Sequence, residues 1–233
     1  MISAYAKNAI VLGLLSAVGP FAIDMYLPAL PTIAADLNAS TASTQMTLMA
    51  FFVAMGLCQI VYGLISDMAG RKLPLYVGLT LFILGSIGCA LSPNIGGLIA
   101  FRFLQGIGAS AVMVIPRAVI RDLHTGIEAT RLMALVMLVL SVSPMLAPFA
   151  GSALIVSFGW RAVFATITVV AVLAFILTIL FLPETRPPHD RVEINLRNVL
   201  GGFGVLLRDW HFLGLTFIGG LGMASFFAFI ASS

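Results

Sequence analysis

Long apolar runs alternate with short polar breaks along the chain. A helix needs about 20 mostly apolar residues to cross a bilayer. Runs of that order lie at about 9–31, 44–66, 74–92, 96–119, 131–157 and 161–182. A further run opens near Trp210–His211 and is still apolar at Ser233. The strict alternation of a membrane β-strand is absent from these runs. The pattern predicts an all-α polytopic membrane protein of six spans plus a seventh helix.

The polar breaks carry the orientation, because Lys and Arg collect on the cytoplasmic side. Lys7 precedes the first span, and Arg71 and Lys72 follow the second. Arg117, Arg121 and Arg131 flank the break after the fourth, and Arg186, Arg191, Arg197 and Arg208 follow the sixth. The alternate breaks are nearly bare, with Arg161 the exception. The N-terminus is therefore expected in the cytoplasm. The first run has no small-residue cleavage site at its end, so it reads as an uncleaved helix rather than a signal peptide.

Composition strengthens the class. Hydrophobic residues make up 61% of the chain and charged residues 9%, against roughly 25% charged in soluble domains. The net charge of +3 is small, so its placement matters more than its size. Cys58 and Cys89 both sit inside apolar runs and read as small hydrophobes. No metal-ligand spacing, phosphate loop or nucleophile–base set appears, so an enzyme, a metal site and a cofactor are not expected.

The stretch from Pro183 to Trp210 is polar, charged and proline-rich. The expected organisation is a six-helix bundle over 1–185, a cytoplasmic linker over 186–210 and the first helix of a second bundle over 211–233. A faint repeat links Met25-Tyr-Leu-Pro28 in the first span to Met113-Val-Ile-Pro116 in the fourth, and Gly63 to Gly151 at the same offset. Three spans per copy would invert the second copy, a transporter architecture.

Few charges lie inside the spans, and these are the candidate chemistry. Asp24 lies about 10 Å below the outer end of the first span, and Arg102 about 9 Å below the outer end of the fourth. A charge within the bilayer costs roughly 2.5–3.5 kcal/mol or more, and it usually faces a partner or a cavity. Two readings stand. Asp24 and Arg102 pair and hold the bundle together, or Asp24 gains and loses a proton with Arg102 tuning it. In the stretch GLISDMAGRK at 63–72, Arg71 and Lys72 satisfy the topology rule, but Asp67 adds nothing to it. Gly63 is expected to admit a close helix neighbour and Gly70 to take a left-handed turn. Asp122, after the fourth span, falls at the same membrane face.

These residues carry a resemblance. GLISDMAGRKLPL is similar to the G-x-L-x-D-x-x-G-R-K signature of the major facilitator superfamily, with Gly63, Asp67, Gly70, Arg71 and Lys72 in register. RFLQGIGAS resembles that superfamily's R-x-x-Q-G-x-G-A motif through Arg102, Gln105, Gly106, Gly108 and Ala109. DMYLPALP at 24–31 looks like the branch that exports bicyclomycin and chloramphenicol. The antiporter motif G-P-x-x-G-G is only partly matched: 147–152 read APFAGS, which keeps Pro148 and Gly151 and replaces two glycines with Ala147 and Ser152.

The resemblance implies the amino-terminal six-helix bundle, with three-plus-three inverted repeats, of a drug:proton antiporter in the bacterial inner membrane. It implies coupling through Asp24 and Arg102, and a cytoplasmic latch of Asp67, Arg71 and Asp122. The expected partners are a small-molecule drug, protons, lipid and a second six-helix half, with no nucleic acid. Uptake of a sugar or metabolite by the same fold, or a truncated fragment that transports nothing, are the alternatives.

Overall fold

The computed structural model describes residues 4–191 and 204–232. The middle of the expected linker, 192–203 with Arg197, lies outside the described residues. The chain divides into two compact units, one ending at Arg191 and the other starting at Val192.

In the first unit, α1 (Ala4–Asp24) gives way to a 3-10 turn (Leu27–Ala29) and then to α2 (Leu30–Asp36). There follow α3 (Thr41–Ala69), α4 (Lys72–Leu91), α5 (Ile95–Leu123), α6 (Gly126–Phe158) and α7 (Arg161–Phe181). With α1 through α2 counted as one span, six helical segments among the described residues are long and apolar enough to cross a membrane. They correspond to the six apolar runs, most of them extended by several residues.

Local chemistry sets the ends. Ser40 caps α3 by accepting from the Ser43 N–H, and Asn94 caps α5 by accepting from Gly97. The break between α1 and α2 follows from Pro28 and Pro31, which have no N–H to give to the carbonyls of Asp24 and Leu27. The backbone tightens there instead, with Tyr26 N–H reaching Ile23 O at 3.2 Å and Ala29 N–H reaching Tyr26 O at 2.9 Å.

Lipid is as apolar as leucine, so helices associate in it through close packing and polar ties. Both are present. A Cβ on Gly85 would stand 2.6 Å from the Gln105 backbone nitrogen, and one on Gly108 would overlap the Gly78 carbonyl and the Phe82 nitrogen. These glycines seat α4 on α5. Gly106 does the same for α5 against the Phe51 carbonyl of α3. Gly151 seats α6 on the backbone of Met25, at the break itself.

Gly63 differs from expectation. Nothing stands within 4 Å of the place a Cβ would occupy there, so no helix of the first unit uses it as a close contact. The reason is position: Gly63 lies in a stretch of α3 whose neighbours Ile60, Val61 and Ile65 are exposed. The sequence echo between Gly63 and Gly151 therefore joins an open position to a tightly packed one.

The second unit contains α8 (Trp210–Ser232). Asp209 caps it, its Oδ1 accepting from the backbone N–H groups of His211 and Phe212.

Candidate functional site

Asp24 is the last residue of α1 and is 5% exposed. Its Oδ2 accepts one side-chain hydrogen bond, from Ser143 Oγ of α6 at 3.3 Å. Among the described residues no arginine or lysine forms an ion pair with it. A groove of about 570 Å3 runs between α1 and α6 toward this pair, lined by Gly13, Ala17 and Phe21 on one side and Val139, Val142 and Ser143 on the other. The wall is almost wholly apolar, with the Ser143 hydroxyl within it. An ionised carboxylate with one hydrogen bond and no counter-ion favours whatever brings it a positive charge, proton or cation.

Arg102 does not pair with Asp24. Its Nη1 donates to the Ala22 carbonyl at 3.2 Å and to Gln105 Oε1 at 2.6 Å. The guanidinium is fully buried between the rings of Tyr26 and Phe51, 4.4 and 4.3 Å from their centroids, with Phe164 at 6.0 Å. Nε and Nη2 have no hydrogen-bond acceptor among the described residues. Matched depth was the expectation, but azimuth decides. Arg102 faces Ala22 and Tyr26, which share one face of the chain, while Asp24 is two residues from each, roughly 200° around a helix. The carboxylate faces α6 and the guanidinium faces the opposite wall.

Gln105, from the same motif, spreads the network. Its Nε2 donates to Ser86 Oγ at 2.7 Å, and Ser86 in turn donates to the Phe82 carbonyl. Tyr26 OH meets Thr47 Oγ1 at 2.5 Å. One buried box therefore ties α1, α3, α4 and α5 around a positive charge, held by cation–π attraction of about 2 kcal/mol per desolvated ring.

A second cluster forms at the end of the bundle where α1 begins. Arg71 is buried in the turn between α3 and α4. It grips Asp122 with two nitrogens, Nε to Oδ2 at 2.7 Å and Nη2 to Oδ1 at 3.3 Å. Its Nη1 donates to Asp67 Oδ1 at 2.8 Å and to Ser66 Oγ at 2.9 Å. Burial opposes the charge of Arg71, but the carboxylates of Asp122 and Asp67 outweigh it and raise the pKa above the ordinary value. Asp67, Arg71 and Asp122 thus meet as one clasp. The Lys72 side chain stays outside it, lying over the Tyr76 ring at 5.7 Å.

Sequence reasoning missed the strap that covers this clasp. After α7 the chain turns back, and Glu184 accepts from the backbone N–H of Arg71 at 2.8 Å, Lys72 at 3.1 Å and Arg186 at 3.0 Å. It caps α4 from a distant part of the chain. Burial works against its charge, but these N–H donors and the nearby Arg191 win and lower its pKa below the ordinary glutamate value. Gly70 makes room, with φ +91°; a Cβ there would stand 2.7 Å from Glu184 Oε2. Thr185 donates to Asp122 at 3.0 Å and Arg186 pairs with Asp67 at 3.4 Å. The available signal was sign: Glu184 is an acid in a loop rich in arginine, as Asp67 is. Ser143 gave no signal, being one hydroxyl among several in an apolar run.

Comparison with known proteins accords with this architecture. The profile described as the Major Facilitator Superfamily matches residues 12–233. An uncharacterized MFS-type transporter, YdgK of Bacillus subtilis, is 40% identical over 97% of this chain and 56% of its own length. A bicyclomycin resistance protein homolog of Haemophilus influenzae is 32% identical over 95% of this chain and 56% of its own. The multidrug resistance protein MdtL of Escherichia coli is 34% identical over 79% of this chain and 48% of its own. The chain thus spans about half the length of these curated relatives. The crystal structure of the human organic anion transporter MFSD10 superposes with a TM-score of 0.67 at 18% identity, over 84% of this chain and 53% of that one. With a matching profile over most of its length and six membrane-capable spans in this arrangement, the chain is a multi-pass membrane protein belonging to the Major Facilitator Superfamily.

Proposed function

We propose that the protein is the amino-terminal half of a proton-coupled exporter of lipophilic, often cationic compounds, working by alternating access in the bacterial inner membrane. The observation that carries this reading is Asp24. It is a carboxyl buried at a helix break, bound among the described side chains by Ser143 alone and paired with no described cation, beside an apolar groove. Relatives named for bicyclomycin and multidrug resistance support the choice of cargo.

The mechanism uses the groove wall for the apolar body of the compound and Asp24 for its charge. A proton and the cation compete for one carboxylate, so binding of one releases the other. The cavity of this fold lies between two six-helix units, so transport requires a second unit facing this one. The end bearing Arg71 faces the cytoplasm. There the clasp of Asp67, Arg71 and Asp122 holds α3, α4 and α5 together and parts when that side opens. Arg102 stays fixed in its aromatic box and sets the field around α1.

The test is Asp24→Asn in everted membrane vesicles carrying the assembled transporter. Proton-driven uptake of a lipophilic cation such as tetraphenylphosphonium is lost while membrane insertion is unchanged. Full uptake by the variant refutes the reading.

A further inference from the structure

The end of the bundle opposite Arg71 carries a polar cluster that the transport reading leaves unused. Asp36 closes α2. Its Oδ2 accepts from Trp160 Nε1 at 2.9 Å and from Arg161 Nη1 at 2.7 Å. Arg161 Nη2 reaches the Ser92 carbonyl at the end of α4, at 3.3 Å, and the guanidinium lies 4.2 Å over the Trp160 ring. The end of α2, the start of α7 and the end of α4 therefore converge on one carboxylate and one guanidinium.

The exposed ion pair is not the source of its strength. The Arg161 and Asp36 side chains are 46% and 49% exposed, so water screens them. Trp160 is 4% exposed, and its single N–H finds its acceptor in Asp36. A buried N–H left without an acceptor is costly, so Trp160 and Asp36 hold each other. The indole continues inward through packed rings, Trp160 to Phe164 at 6.1 Å and Phe164 to Tyr26 at 5.5 Å. Tyr26 is one wall of the Arg102 box and lies two residues past Asp24.

Pro28 and Pro31 deprive the segment between Asp24 and Leu30 of two helical backbone bonds, so its hold is tertiary: Tyr26 and Ala29 are fully buried, and the Met25 backbone lies against Gly151. A helix of seven residues such as α2 does not hold itself. Its tip is fixed from outside, by Trp160 and Arg161.

We infer that Asp36, Trp160 and Arg161 form a latch that makes α2 the stationary part of the first span. Through Trp160, Phe164 and Tyr26 the latch also fixes the break at 25–29, next to Asp24. Asp36 and Arg161 are positioning residues for Asp24, which rests on the reading of Asp24 as the coupling carboxyl.

The test has two arms in the assembled transporter, with Cys58→Ser and Cys89→Ala as background. Nitroxides at Ala35→Cys and Leu91→Cys report the distance between the tips of α2 and α4 by pulsed electron resonance. The parent gives one narrow distribution, Asp36→Ala and Trp160→Phe broaden it, and Asp36→Glu narrows it again. In the second arm, without labels, Asp36→Ala slows proton-driven cation uptake about fivefold, the lower end of typical coupling between sites. The KM for the cation changes less than about twofold, since Asp24 itself is intact. An unchanged distribution in Asp36→Ala overturns the latch. A broadened distribution with an unchanged rate overturns the positioning role. Should Asp24→Asn transport normally, the functional reading falls while the distance arm still judges the latch.

Discussion

Replacing Glu184 by alanine removes the one side chain that holds three backbone N–H groups of the Arg71 turn and its strap. Each such bond contributes about 0.5–1.5 kcal/mol net, and exposure of the residue places these in the lower half of that range. Three bonds then amount to about 1.5–3 kcal/mol of local stability, or about 10- to 160-fold in the opening equilibrium. Amide hydrogen exchange at Arg71, Lys72 and Arg186 reads this opening directly. Glu184→Ala raises their exchange by that factor at neutral pH, and Glu184→Gln by less, because one acceptor oxygen remains. The folded-state pKa of Glu184 lies below its ordinary value of 4.5. The stabilisation is therefore complete above about 4.5 and is lost as the pH falls through the lower, folded value. Wild type at acidic pH comes to exchange like the glutamine variant once intrinsic rates are normalised. Equal protection in wild type and Glu184→Ala at pH 7 would refute the strap as a structural element.

Other outcomes follow from the same geometry. Gly108→Ala puts a methyl into the backbone of α4 and destabilises the purified protein by about 1–3 kcal/mol in denaturant titration. Gly63→Ala meets open space in this unit and gains up to about 1 kcal/mol of helix propensity in the same assay. Arg71→Lys keeps the charge but loses the fork that reaches Asp122 and Asp67. Trypsin cleavage after Arg191, at the end of the strap, therefore accelerates in that variant, as a single ammonium does not replace the bidentate contact.

The sequence made the spans legible because lipid demands a long apolar run, and a run is visible without any partner. Charge sign singles out Asp67, because an acid adds nothing to topology; Asp122 joins it through its place at the same membrane face and the family resemblance, and the structure places both on Arg71. Four features are less legible. Matched depth suggests that Arg102 either pairs with Asp24 or tunes it, but two residues of offset turn a helix face away, so Arg102 reaches Ala22 and Gln105 instead. Gly63 was grouped with the packing glycines, although spacing does not say whether a neighbour arrives. Glu184 and Ser143 act through partners 113 and 119 positions away, one of them a backbone N–H that no sequence pattern marks.

The central claim is that a proton and a lipophilic cation compete for the Asp24 carboxyl. Proton release on binding tests it most directly: the assembled transporter in weak buffer, with a soluble pH indicator, is titrated with tetraphenylphosphonium. The account predicts a proton released as the cation binds, and no release from Asp24→Asn under the same conditions. Equal proton release from the wild type and the variant contradicts it.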